Sequence, residues 1–150
     1  MKTAEILESV SVDEEWLGKK GGLGFYEHHG KEKIPNPRLD SLLDTLRTKL
    51  DISPKLFSDQ TIVDRCILSM VNEAAKCMEE NIVANPAYLD MAMIMGSGFP
   101  PFRGGLLKYA DQFGIAEVVS RLENLEAEFG FRFAPAEILK SMSKANSTFY

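Results

Sequence analysis

The chain has 150 residues, 45% of them hydrophobic and 26% charged, an ordinary globular composition with enough apolar material for one core and one or two small domains. Seventeen basic against twenty-two acidic residues give a formal net charge of −5, and the lack of a basic stripe argues against nucleic acid as a partner. No apolar run approaches the length of a membrane span, and Met1-Lys2-Thr3-Ala4-Glu5 lacks the apolar centre of a signal peptide.

In chain order, residues 3–9 read as a short helical segment anchored only by Ile6 and Leu7, too short to stand alone. Residues 16–26 form a glycine-dense turn ending in Phe25 and Tyr26, which are expected to pin the loop onto a core. Lys19 and Lys20 lie among glycines, but no GxxxxGK[ST] pattern and no leading strand support a phosphate loop. Residues 27–37, polar and holding Pro35 and Pro37, read as an exposed linker with the solvated pair His28 and His29. Leu39, Leu42, Leu43, Leu46 and Leu50 recur at helical spacing, which predicts an amphipathic helix over 38–50.

Ser58 is placed to cap the longest helix, predicted over 59–82. Its apolar stripe would be Ile62, Cys66, Ile67, Met70, Val71, Ala74, Met78 and Ile82, with Asn72 beside it as a buried hydrogen-bonding amide. Asn85-Pro86 supplies a cap and a first-turn proline for a helix over 87–95. Helices over 103–113 and 116–129, closed by Gly114 and Gly130, follow. Pro135 opens a last one through Ser143, with Asn146 capping it and residues 147–150 extended.

The most constrained stretch lies between two of these helices. Gly96 and Gly98 break the first, Pro100 and Pro101 cannot continue it, and Arg103, Gly104 and Gly105 lead into the next. Gly96 suits a left-handed residue just past a helix and Pro101 a first helical turn. A phosphate cradle would need a β-branched strand before the glycines. The Met- and Ala-rich run before Gly96 is helical instead, so the reading is a rigid structural corner. Arg103, at the expected helix N-terminus, could hold the corner through backbone carbonyls or meet an anion; the structural role is favoured.

Cys66 and Cys77 stand eleven residues apart on one predicted helix, roughly 16 Å at the standard rise, and cannot bridge. They read as two buried thiols in a reducing compartment, and with only two adjacent histidines no metal set is present.

Gly-Ser-Gly-Phe-Pro-Pro-Phe-Arg-Gly-Gly over 96–105, followed by Tyr109-Ala110-Asp111, resembles the second copy of the helical C-terminal domain of 3-hydroxyacyl-CoA dehydrogenase in multifunctional fatty-acid β-oxidation α-subunits. The likeness extends through residues 62–65 and 70–74 to Phe149-Tyr150. Gly18, Lys20, Gly22, Gly24, Phe25 and Tyr26 are similar to the signature that ends the first copy, so Phe-Tyr closes both units.

The resemblance implies an all-α fold: a compact multi-helix domain over 38–150, preceded by the tail of the first copy and a linker over 1–37. It implies a longer cytoplasmic protein, mitochondrial in a eukaryote, that joins enoyl-CoA hydratase to NAD-dependent 3-hydroxyacyl-CoA dehydrogenase. Its partners there would be the hydratase and NAD-binding domains, with a thiolase subunit as a further candidate. This segment has no strand-GxGxxG-helix and no histidine–carboxylate pair, so no catalytic, NAD-binding or metal residues are assigned to it. Asp64 stands where the family's first copy carries a substrate-binding Asn; a carboxylate there would repel an alkoxide, and Asp64 is read as a degenerate site position, a surface charge paired to a neighbour. The expected role is scaffolding by pseudo-dimer packing. In isolation, Met70, Met93, Phe99 and Phe102 would leave an apolar mating face that makes a homodimer. The competing reading is a free-standing helical interaction module.

Overall fold

The structure, a computed structural model, describes residues 4–150. Thr3, the first residue of the expected N-terminal helix, lies outside the described residues. Contacts divide the chain into compact units meeting between Leu56 and Phe57.

In the first unit, helix α1 (Glu5–Glu8) runs into a wide turn over Ser9–Asp13. Strands β1 (Tyr26–His29) and β2 (Glu32–Pro35) pair antiparallel, and helix α2 (Arg38–Leu50) follows. The hairpin replaces the expected linker. Its signal was the two-residue turn Gly30-Lys31, with Gly30 at a φ of 66° that suits the twist of a tight hairpin. Pro35 is tolerated because it ends the edge of a two-stranded ribbon. Val10, Trp16 and Leu46 are the buried apolar residues here, whereas Phe25 and Tyr26 are about 40% exposed; Trp16, not the Phe-Tyr pair, anchors this unit. Helix α2 packs on α1.

The glycine loop is a crossing of the chain over itself. The Gly18 amide donates to Leu23 O at 2.7 Å, and a Cβ on Gly24 would lie 2.7 Å from Gly18 Cα, closer than any side chain permits. Buried Asn36 fixes this crossing to α2: its Nδ2 donates to Gly24 O at 2.8 Å and its Oδ1 accepts from the Arg38 amide at 3.0 Å.

The second unit is all helical: α3 (Asp59–Glu79), α4 (Pro86–Ser97), α5 (Leu106–Phe113), α6 (Ile115–Phe129) and α7 (Glu137–Ala145), with short 3₁₀ turns at Pro101–Arg103 and Phe131–Phe133. Several ends follow local sequence chemistry. Ser58 Oγ accepts from the Thr61 amide at 3.1 Å, and Asn85 Oδ1 from the Tyr88 amide at 3.1 Å. Gly114 and Gly130 end α5 and α6, and Asn146 ends α7 in the left-handed conformation.

The core gathers Leu68, Val71 and Ala75 of α3 with Leu106, Leu107 and Ala110 of α5, Val118 and Leu122 of α6, and Leu139 of α7. Of the expected stripe of α3, Val71 and Ala74 are buried and Ile67, Met70 and Met78 pack against the core, but the rest of it does not turn inward. Ile62 is 51% exposed, Cys66 is exposed rather than buried, and Ile82 lies beyond the helix end. Both sides of α3 are apolar, and the side taken inward carries Ala74 and Ala75, whose small side chains let other helices approach.

Candidate functional site

The α4–α5 corner is built around one carboxylate. Helix α4 continues through Gly96 and is closed by Gly98 at φ 73°, so the left-handed residue is Gly98 and not Gly96. The Gly98 amide donates to Ile94 O and the Phe99 amide to Met93 O, both at 3.2 Å, the crossed bonds of a glycine-terminated helix. Phe99 turns inward against Tyr109, with ring centroids 6.4 Å apart. Pro100 and Pro101 lead into the 3₁₀ turn, and Gly104 and Gly105, at φ 79° and 111°, deliver the chain to α5.

Buried Asp90, from α4, caps that helix: its Oδ1 accepts from the Leu107 amide at 2.7 Å and its Oδ2 from the Lys108 amide at 3.0 Å. A helix N-terminus attracts anions, and here the chain's own carboxylate fills that place. Helix α5 therefore starts at Leu106 rather than at residue 103, and Arg103 belongs to the preceding 3₁₀ turn. The Arg103 guanidinium lies over the rings of Phe102 and Tyr109, at 5.6 and 5.7 Å.

Asp64 faces α6. Both of its oxygens accept from Arg121 Nη1, at 3.1 and 3.3 Å, and Oδ1 also from Gln60 Nε2. Arg121 reaches Glu117 through Nε at 2.7 Å and covers the Phe113 ring. The Glu117 hydrogen bond, with those from Asp64, raises the guanidinium above its usual range against an opposing desolvation. A carboxylate so engaged is a structural tie between helices. Its side chain is 15% exposed, and solvent at the rim weakens the pair. Asp64→Asn is therefore expected to cost only about 1 kcal/mol, a fall in melting temperature of roughly 4–8 °C for a unit of this size. Calorimetry showing a loss several times larger would make the pair a keystone of the fold.

Asn72, the buried amide of α3, holds the start of α7. Its Nδ2 donates to Ala134 O and its Oδ1 accepts from the Ala136 amide, both at 2.8 Å.

Between α3 and α4 runs an apolar groove of about 430 Å3, lined by Met70, Ala74, Cys77, Leu89, Met93 and Leu106 among others. Of the residues expected to form a mating face, Met70 and Met93 line this groove, Phe102 is 82% exposed, and Phe99 is buried in the corner instead. The groove depends on which face of α3 turns inward, so periodicity alone could not outline it. In the other unit, Lys20, Gly22, Phe25 and Tyr26 are exposed or partly so around the Gly18–Gly24 crossing, and His28 and His29 lie on β1, where His29 Nε2 stands 3.4 Å from Glu27 Oε2, an exposed histidine–carboxylate contact the sequence was expected to lack. Among the described residues no three His, Cys, Asp or Glu side chains are grouped to hold a metal ion, and no helix is long and apolar enough to cross a membrane.

Relatives share this sequence. The chain is 39% identical over 137 residues to the fatty acid oxidation complex subunit alpha of Psychrobacter arcticus, covering 89% of this chain and 19% of that protein. It is 43% identical over 136 residues to the protein of the same name from Acinetobacter baylyi, again covering 89% and 19%. With that of Vibrio parahaemolyticus the identity is 40% over 133 residues, covering 89% and 18%. The chain thus spans about a fifth of the length of these relatives. Residues 62–148 match the family model described as 3-hydroxyacyl-CoA dehydrogenase, C-terminal domain, and with the corner and the buried core of the second unit inside that span, the chain belongs to this family of helical domains.

Proposed function

We propose that the chain is a scaffolding part of a longer fatty acid oxidation α subunit, and that its groove docks a second helical dehydrogenase domain rather than a substrate. Residues 1–37 are then the tail of a first helical copy plus a linker, and 38–150 the second copy; the matched span and the compact unit from Phe57 both fall within the latter. NAD binding, hydride transfer and enoyl-CoA hydration belong to other domains of the longer protein, which is cytoplasmic, or mitochondrial in a eukaryote. Those domains and a thiolase subunit are its partners.

The observation that carries this reading is the apolar groove between α3 and α4, lined by Met70, Ala74, Cys77 and Met93 among others. Contiguous apolar surface of this kind is characteristic of an interface. Asp64, occupied by Arg121, supports the absence of chemistry here, since its oxygens are committed to a structural pair.

The 16.7 kDa chain is expected to sediment as a symmetric homodimer burying on the order of 1,200 Å2 or more, and to bind no NAD in titration calorimetry. A monomer persisting at roughly 100 μM, an association weaker than about −5.5 kcal/mol, removes the docking reading. Micromolar NAD binding removes the assignment of catalysis elsewhere.

A further inference from the structure

The chain leaves α7 through Asn146, at φ 49°, and its last residues reach α5. Asp111 stands in the last turn of α5, where the helix end disfavours a negative charge. Both oxygens of that carboxylate accept backbone amides of the strap: Oδ1 from Phe149 at 2.9 Å and Oδ2 from Tyr150 at 3.1 Å. At the other end of the same helix the Tyr150 hydroxyl donates to Asp90 Oδ2 at 2.9 Å. This oxygen also accepts the Lys108 amide. The Lys108 ammonium lies over the Tyr150 ring at 4.8 Å, and the Phe149 side chain packs on the core.

We propose that Phe149–Tyr150 is a strap that clamps α5 at both ends, through Asp111 and Asp90, and thereby holds the α4–α5 corner and the Leu106 wall of the groove in place. Released, it loosens α5 while α6 and α7 stay packed.

Three features mark it as a device. The carboxylate of Asp111, set against the helix dipole, has both of its oxygens answered by amides of the strap. The tyrosine reaches the one carboxylate that already sets the corner, so corner and strap share an acceptor. The strap is also extended and half-exposed, with few contacts to break, which places it at the low-stability end of the domain. Burial and the Asp90 bond push the Tyr150 phenol up to about 12, so it remains a donor throughout the neutral range.

Hydrogen exchange followed by mass spectrometry on the 150-residue chain tests this with two mild variants. Tyr150→Phe removes a single hydroxyl, and Asp111→Asn leaves one oxygen to serve two amides. Each is expected to speed exchange of the Leu107 and Lys108 amides roughly tenfold, the worth of one hydrogen bond to a charged acceptor. Amides of Leu122 and Leu139, in α6 and α7, should change less than about twofold. The strap is overturned if either variant leaves α5 at wild-type rates, if the change stays within 146–150, or if α6 and α7 accelerate by the same factor.

Discussion

Asn72→Ala is expected to lower the stability of the second unit by roughly 3–5 kcal/mol, more than 10 °C in melting temperature for a unit of this size. The side chain is 1% exposed and is the single bridge by which α3 satisfies Ala134 O and the Ala136 amide. Truncation leaves an acceptor and a donor unpaired away from water and adds a cavity, and these costs accumulate. Asn72→Asp should be no better, because an ionised carboxylate keeps the bond to Ala136 but faces the Ala134 carbonyl with like partial charge. Chemical denaturation of both variants decides the matter. A loss under about 1 kcal/mol would show that water replaces the amide without penalty.

Gly105→Ala is expected to be the most damaging change in the corner, at about 3–5 kcal/mol. Its φ of 111° is strained for any L side chain, and a Cβ there would fall on Asp90, the cap of α5. Gly104→Ala should cost less, about 1–2 kcal/mol, since its Cβ would meet Lys108 Cγ at 2.9 Å and that side chain can swing away. Gly98→Ala meets open space and should carry only the left-handed penalty of about 1 kcal/mol. Arg103→Ala should come last, at about 0.5 kcal/mol, for the loss of exposed ring contacts. Melts with Arg103→Ala as the worst of the four would return a ligand role to the arginine.

What the sequence made legible is the chemistry that closes within a turn or two. Ser58, Asn85-Pro86, Gly114, Gly130 and Asn146 each act on residues three or four away, so the starts of α3 and α4 and the ends of α5, α6 and α7 could be placed. The face of α3 was legible only in part: Val71 and Ala74 are buried as expected, but Ile62 and Cys66 face solvent while Leu68 and Ala75 turn inward, a choice made only by the helices packed against it. Asp90 is an ordinary acidic residue in its own helix, and its meaning lies at positions 107, 108 and 150. The same distance hid the partner of Asp64, 57 residues away. The hairpin was missed because its polar residues and Pro35 resemble a linker, and the tight Gly30-Lys31 turn was outweighed.

The Asn72 bridge also sets an order of events during synthesis. Its acceptor and donor lie 62 and 64 residues further along the chain, so the amide of α3 waits unpaired until the start of α7 has left the ribosome. At about 5–20 residues per second the wait is roughly 3–13 s. Until α5 and α6 follow, α3 also lacks the helices that cover Leu68, Val71 and Ala75, so its apolar face is bare for the first part of that wait. An emerging segment of that kind is a natural client for chaperones, and the second unit can close only when translation of the domain is almost complete.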